Sequence, residues 1–394
     1  MTKKKLVIIG RGTAGSIAAS QFYKRTDCDV EWHFDSNIKP QAVGEGSTLE
    51  LPNALRDNLD FRHSHLDAID GSFKYGIKKS GWGTGTEYIH EFFPPLTSYH
   101  FNAIKLQDFV LDKLKDKIKI VEGNATHDQL DCDFIMDCSG RPDSYDDFHM
   151  SDYIPVNAVH VTQCYWDTIK FQYTLTLARP YGWVFGIPLQ NRCSIGYMYN
   201  SNINTLEEVK EDVKNIFKEY NLTPSDHTNT FGFKNYYRKQ NFDGRVAYNG
   251  NASFFLEPLE ATSIALMDYI NRRAEEKWFK DKADNRINQY SRYNMQHQYN
   301  QAYTKKVEEI TNVIMLHYFA GSVYNTEFWK FAQERGQRNM ASAIEDPIFS
   351  QVVKPDFDGR SARWSNYGTW APVSWHQNMH NLGLYARFQE LMQR

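Results

Sequence analysis

An α/β fold is what this sequence predicts: a parallel sheet layer, an inserted antiparallel β region and a helical C-terminal part. Three observations carry that expectation. Residues 6–20, LVIIGRGTAGSIAAS, run from a short apolar strand through three glycines into a helical pattern. Residues 133–140, DFIMDCSG, repeat the signature of a buried strand stopped by glycine, so the parallel layer is interrupted by an insertion. Residues 162–199 alternate in polarity and are rich in β-branched and aromatic side chains, as an antiparallel meander should be.

Taken in order, the first strand ends at Gly10, and Gly10, Gly12 and Gly15 form G-x-G-x-x-G. The first glycine permits a tight turn, the second lets backbone approach a pyrophosphate, and the third lets helix pack closely on strand. A helix opening near Thr13 and Ala14 then offers free N–H groups and a positive dipole end to phosphates. Asp35, 20 residues after Gly15 at the end of a second strand, is placed to take ribose hydroxyls. A dinucleotide site follows from that spacing.

Val43, Gly44 and Glu45 begin a Gly-rich loop ahead of a helix around 51–59. Residues 67–93 have no clean period and read as loops and edge strands near a site. A helix is expected over 106–114, a strand over 118–121 and another helix over 206–220. Residues 245–250 read as a strand returning to the first layer, and residues 264–319 as mostly helical. The tail, 323–394, mixes aromatics with short helices. The expected divisions are 1–150 and 241–275 for the nucleotide-binding parts, 151–240 for the β-sheet substrate region and 276–394 for the helices.

Composition narrows the function classes. A net charge of -3 offers no basic field for nucleic acid. No run approaches the roughly 18 apolar residues of a membrane helix, and MTKKKLVIIG has too short an apolar run for a signal peptide. Five cysteines, an odd number with no C-x-x-C, fit a reducing compartment, and a cytoplasmic protein without a bound metal is expected. Aromatic residues make up 15%, enough to furnish a pocket for a flat ligand.

Four stretches then read together: GRGTAG, DCSG at 137–140, GWVFGIP at 182–188 and YNGNASFFLEPLEATS at 248–263. With FKYGI at 73–77, this chain resembles the flavin-dependent halogenases, the family of the tryptophan halogenases. The family's W-x-W-x-I-P stands here as Trp183 to Pro188 with Phe185 for the second Trp. Its P-L-E-S-T stands as Pro258 to Thr262 with Ala261 for Ser. Val43-Gly44-Glu45-Gly46 resembles the flavin-side loop, and His90 and Phe92 resemble the pair lining the substrate pocket. NRR at 271–273, LHY at 316–318, TEFW at 326–329 and SWH at 374–376 have family-like spacing.

The resemblance implies an FAD-binding three-layer domain of the para-hydroxybenzoate-hydroxylase kind. FAD would be held by Gly10, Gly12, Thr13, Ala14, Gly15, Asp35, Val43, Gly44, Glu45, Asp137, Gly140, Gly250 and Ser263. It implies halogenation of an electron-rich aromatic ring, using FADH₂, O₂ and a halide ion. Because no second G-x-G-x-x-G is present, a separate flavin reductase would supply FADH₂. Halide would meet the N–H groups of Thr262 and Ser263 at a helix start. Lys74 would hydrogen-bond hypohalous acid or carry the halogen as a haloamine, its pKa lowered by burial. Glu260 would orient the electrophile and take the ring proton.

Two other functions fit the same residues. A flavin-dependent aromatic monooxygenase would hydroxylate instead. A degenerate flavin-fold binding protein is kept open by Ala261 and Phe185. With only about 75 residues after Phe319, and turn-rich segments such as KPDFDGR among them, the tail is expected to cover the site poorly. The oligomeric state is left open by the sequence.

Overall fold

Strand Lys4–Ile9 pairs in parallel with Cys28–Phe34 on one side and Phe134–Asp137 on the other, in a computed structural model that describes residues 3–38, 44–92, 96–280, 289–357 and 367–393. Alternation explains why this strand is apolar throughout. Leu6 and Ile8 enter the main core, while Val7 and Ile9 pack with Ile135 on the opposite face. The full sheet has six strands, in the order 242–243, 246–248, 134–137, 4–9, 28–34, 119–122. Strand Val246–Tyr248 joins in parallel beside Phe134–Asp137, the return that the sequence implied. Helix Thr13–Arg25 presents Ala, Ser and Gly to the sheet and lies buried along most of its length.

A seven-stranded sheet forms the second layer, in the order 223–232, 158–165, 192–199, 182–188, 174–179, 76–80, 88–91. Its neighbours are antiparallel except for 174–179 with 76–80. The two faces have different tasks. Leu175, Leu177, Val184, Ile195 and Tyr197 pack under helix Leu206–Glu219, which enters through a Thr205–Glu208 capping box. The alternate positions Thr174, Thr176, Trp183, Phe185, Ile187 and Met198 face a large cavity. The edge strands expected in 67–93 are Ser72–Lys74 and Tyr88–Glu91, and Gly76–Ser80 between them is an interior strand. Two adjacent lysines disguised the inward alternation of Ile77 and Lys79, both buried.

A three-stranded sheet links the two layers. Its middle strand, Ser98–Asn102, pairs with Gly44–Gly46 on one side and Ser72–Lys74 on the other. The chain steps from this sheet into the seven-stranded one at Tyr75, whose N–H donates to Gln172 O and whose carbonyl accepts from Phe92 N–H. Lys74 therefore sits at the junction of two sheets.

The C-terminal third is built on a long helix, Gln289–Ala320, against which Glu327–Ala343 packs. The latter corrects the expectation of short helices only. It runs 17 residues, and Phe328, Trp329, Ala332, Asn339 and Met340 bury one face at helical spacing. Gly336 allows the approach: a Cβ there would stand 2.5 Å from Phe319 N and 2.8 Å from Tyr318 C. Shorter helices Pro347–Val352, Pro372–Asn381 and Leu384–Met392 complete the tail. Among the described residues no helix is long and apolar enough to cross a membrane, and all five cysteines are unpaired. Gly336→Ala is expected to lose about 2 kcal/mol of stability, as overpacking against a rigid backbone does. Urea unfolding monitored by tryptophan fluorescence measures it, and an unchanged midpoint would show that the helices move apart freely.

Candidate active site

Between the sheets lies a cavity of about 850 Å³ whose wall includes both the first glycine turn and Lys74 and Glu260. Gly10 turns with φ +95°, and a Cβ on it would meet Cys138 O at 2.2 Å. Its N–H donates to His33 O and its carbonyl accepts from Trp32 Nε1. Gly15 backs onto Gly10 O rather than facing the cavity. Gly12, Thr13 and Ala14 line the cavity, and nothing lies within 4 Å of the point where a Gly12 Cβ would stand. That open cradle at the start of helix Thr13–Arg25 fits a pyrophosphate.

The other expected cofactor residues divide. Asp35, Glu45, Gly140, Gly250 and Ser263 all line the same cavity. Asp35 accepts through Oδ1 from the backbone and side chain of Asn37. Glu45 accepts from the Thr13 hydroxyl at 3.1 Å, and burial pushes its carboxyl up to about 7 despite that bond. Gly44 pairs with Asn102, and Val43 lies outside the described residues. Asp137 is at the strand end but turns away from the cavity, accepting from Ser139 N–H at 2.9 Å and facing His127 Nε2 at 2.8 Å. Burial alone would raise its pKa. These partners outweigh burial and lower it. Its neighbours Cys138 and Ser139 take the cavity wall instead.

Opposite the glycine turn, Lys74 is buried and its Nζ donates to Ser47 O at 3.0 Å. The ring of Phe92 lies 5.5 Å from that nitrogen. Burial lowers the Lys74 pKa to about 8, with Glu260 opposing the change. Glu260 sits just before helix Thr262–Glu275 with φ 65°, and Ala261 follows with φ 54°. Two successive left-handed residues other than glycine cost roughly 1–2 kcal/mol each. Strain of this kind collects where geometry serves a site. The turn aims the Glu260 carboxylate inward. It also leaves the first N–H groups of the helix without intrahelical acceptors. Beside them the Thr262 hydroxyl is buried with no partner among the described residues.

Glu260 is heavily compensated. Its Oε2 accepts from Trp370 Nε1 at 2.9 Å and faces His90 Nδ1 at 3.2 Å. Its Oε1 is 2.5 Å from Lys79 Nζ, an ion pair more than an aligned hydrogen bond, and 3.5 Å from His317 Nε2. Burial pushes its pKa up, but Lys79 above all prevails and holds it well below the usual carboxylate range. His90 stands edge-on to both Phe92 and Trp370. Lys79, His317, Trp370, Tyr88 and Asn378 were not foreseen as site residues. For Lys79 a signal existed, since strand alternation places it on the buried face with Ile77. Trp370 and Asn378 lie in the tail expected to cover the site poorly, and both are buried over it.

If FAD occupies this cavity, Gly12→Ala should fold with an unchanged unfolding midpoint yet bind FAD at least about tenfold more weakly, a loss of about 1.4 kcal/mol. Flavin fluorescence titration reads the affinity, and wild-type binding by this variant would move the pyrophosphate elsewhere.

Comparison with known proteins agrees with this fold. A family model for tryptophan halogenases matches residues 5–109 and 98–394. The tryptophan 7-halogenase RebH of Lentzea aerocolonigenes is 23% identical, over 84% of this chain and 79% of that protein. A flavin-dependent halogenase from Xanthomonas campestris superposes with a TM-score of 0.78 at 19% identity, covering 100% of this chain and 94% of the other. Another, from Brevundimonas sp. BAL3, gives 0.77 at 20% identity, covering 97% and 90%. With nearly its whole length matched and the glycine turn, Lys74 and Glu260 gathered on one cavity, this chain belongs to the tryptophan halogenase family.

Proposed function

We propose that this flavin-dependent halogenase halogenates an electron-rich aromatic compound through Lys74, beside the Glu260 carboxylate. The observation that carries this reading is the shared cavity: Lys74 and Glu260 face the same space as the dinucleotide turn. Bound FAD, delivered as FADH₂ by a separate reductase and meeting O₂, would supply the oxidant that converts halide to hypohalous acid. The first-turn N–H groups of Thr262 and Ser263, with the unpartnered Thr262 hydroxyl, suit a halide ion.

Lys74 combines burial with a pKa near neutrality, so a useful fraction of its amine is unprotonated at pH 7–8. A free amine can hydrogen-bond hypohalous acid. It can also take the halogen as N–X with loss of water, then pass it to the ring and recover its own N–H. Glu260, with its pKa held low, stays ionised across that range. It is a weak base for the ring proton, and its larger effect is electrostatic. A fixed negative charge stabilises a ring that becomes positive when the halogen adds. His90 stands against Glu260 and the Phe92 ring against Lys74, both behind the cavity wall.

Turnover with a flavin reductase, each halide in turn and a panel of phenols, anilines and indoles, read by mass, tests the reading. Aryl halide is the expected product, and oxygenated product in its place would mark a monooxygenase. Lys74→Ala should abolish aryl halide while FAD binding persists, and Glu260→Gln should slow turnover by about 10². Undiminished yield from the Lys74 variant overturns the assignment. The wild-type rate should rise with pH toward about 8, as Lys74 loses its proton. A rate that falls over that range would mean the ammonium form does the work.

A further inference from the structure

Two buried lysines approach Glu260, and their surroundings differ. Lys79 has no exposed surface, and its nitrogen meets three acceptors: Glu260 Oε1 at 2.5 Å, Asn378 Oδ1 at 2.6 Å and His317 Nε2 at 2.8 Å. The His317 tautomer is fixed by its other nitrogen. Nδ1 lies 3.0 Å from Val313 O, which can only accept, so Nδ1 carries the hydrogen and Nε2 accepts from Lys79. Burial and the neighbouring Lys79 charge lower the His317 pKa to about 4, so this ring stays neutral. Three acceptors surround that amine and suit its ammonium form; burial lowers the Lys79 pKa, and Glu260 opposes the change. Lys74 has instead one backbone carbonyl, Ser47 O, and the face of Phe92.

We propose that Lys79 is a positioning residue for halogenation: by taking Glu260 into an ion pair, it leaves Lys74 without an anion of its own and keeps that amine free. The proposal rests on the reading of Lys74 given above. Glu260 is the charged group that opposes deprotonation of Lys74. Lys79 offsets part of its field from 2.5 Å, and without Lys79 the carboxylate would draw a proton onto Lys74.

The other groups around the pair do not replace that charge. On strand Ser98–Asn102, His100 bonds Thr174 Oγ1, and burial holds it well below its usual pKa, hence neutral. On Gly44–Gly46, Glu45 turns to Thr13. On Tyr88–Glu91, Tyr88 donates to Asn378 Oδ1 and stays protonated because burial raises its pKa. On the same strand, burial lowers the His90 pKa although its bond to Glu260 opposes this.

The test titrates the Lys74 amine directly. The flavin-free protein is treated with cyanate across pH 6–10, and carbamylation at Lys74 is located by fragment mass. Lys79→Met should raise the midpoint at Lys74 by a unit or more, making its reaction at pH 7 about tenfold slower. Lys79→Arg, which keeps a cation, should stay near the wild-type midpoint. The double variant Lys79→Met with Glu260→Gln removes both charges. It should fold even if the single variant does not, with its midpoint at or below wild type. An unchanged midpoint in folded Lys79→Met, or a raised one in the double variant, overturns the proposal. Because this readout needs no turnover, failure of wild-type protein to halogenate would count against the proposed function alone.

Discussion

A carboxylate shut away from water must be compensated where it stands, and the compensation of Glu260 is the constraint on which the rest of the site depends. Its surroundings come from separate parts of the chain: Lys79 and His90 from the seven-stranded sheet, Trp370 from the tail and, bonded to Lys79, His317 from the long helix. If Lys79 moves away, a buried charge is left unpaired, a change that typically costs about 3–5 kcal/mol. The left-handed turn at Glu260 and Ala261 is held in place by the same convergence. The strained turn and the ion pair sustain each other.

The seven-stranded sheet separates two kinds of interior by the simplest rule available, the two-residue period of a strand. One face is closed by helix Leu206–Glu219 with aliphatic and aromatic side chains. The other is left open as the roof of the cavity, where Trp183 and Phe185 stand beside threonines 174 and 176. Lys74 reaches this cavity because the chain changes sheets at Tyr75. A break in strand register at that position thus determines where the amine points.

Much of this was legible in the sequence, because short-range signals specify short-range structure. The glycine turn, the return strand at Val246–Tyr248 and the meander all follow from local patterns that the fold preserves. The family-like stretches also brought Lys74 and Glu260 forward, and the fold sets both on one cavity. What the sequence hid were partners fixed only by tertiary contact. The alternation that buries Lys79 is masked by its neighbour Lys78, and nothing near Trp370 or Asn378 announces a carboxylate 110 residues away or a lysine 299 residues away. Asp137 shows the converse. A residue well placed by pattern spends its carboxylate on His127 and Ser139, while the residues beside it face the cavity.

The contact between Trp370 and Glu260 also bears on the order in which the protein becomes competent during synthesis. The glycine turn leaves the ribosome ahead of the strands that wall the cavity, and Trp370 and Asn378 emerge after both. A growing or clipped chain can therefore complete a nucleotide cradle well before the carboxylate has its full set of donors. Glycine cradle and charge compensation are thus separate stages of one synthesis, and the second waits for the indole of Trp370.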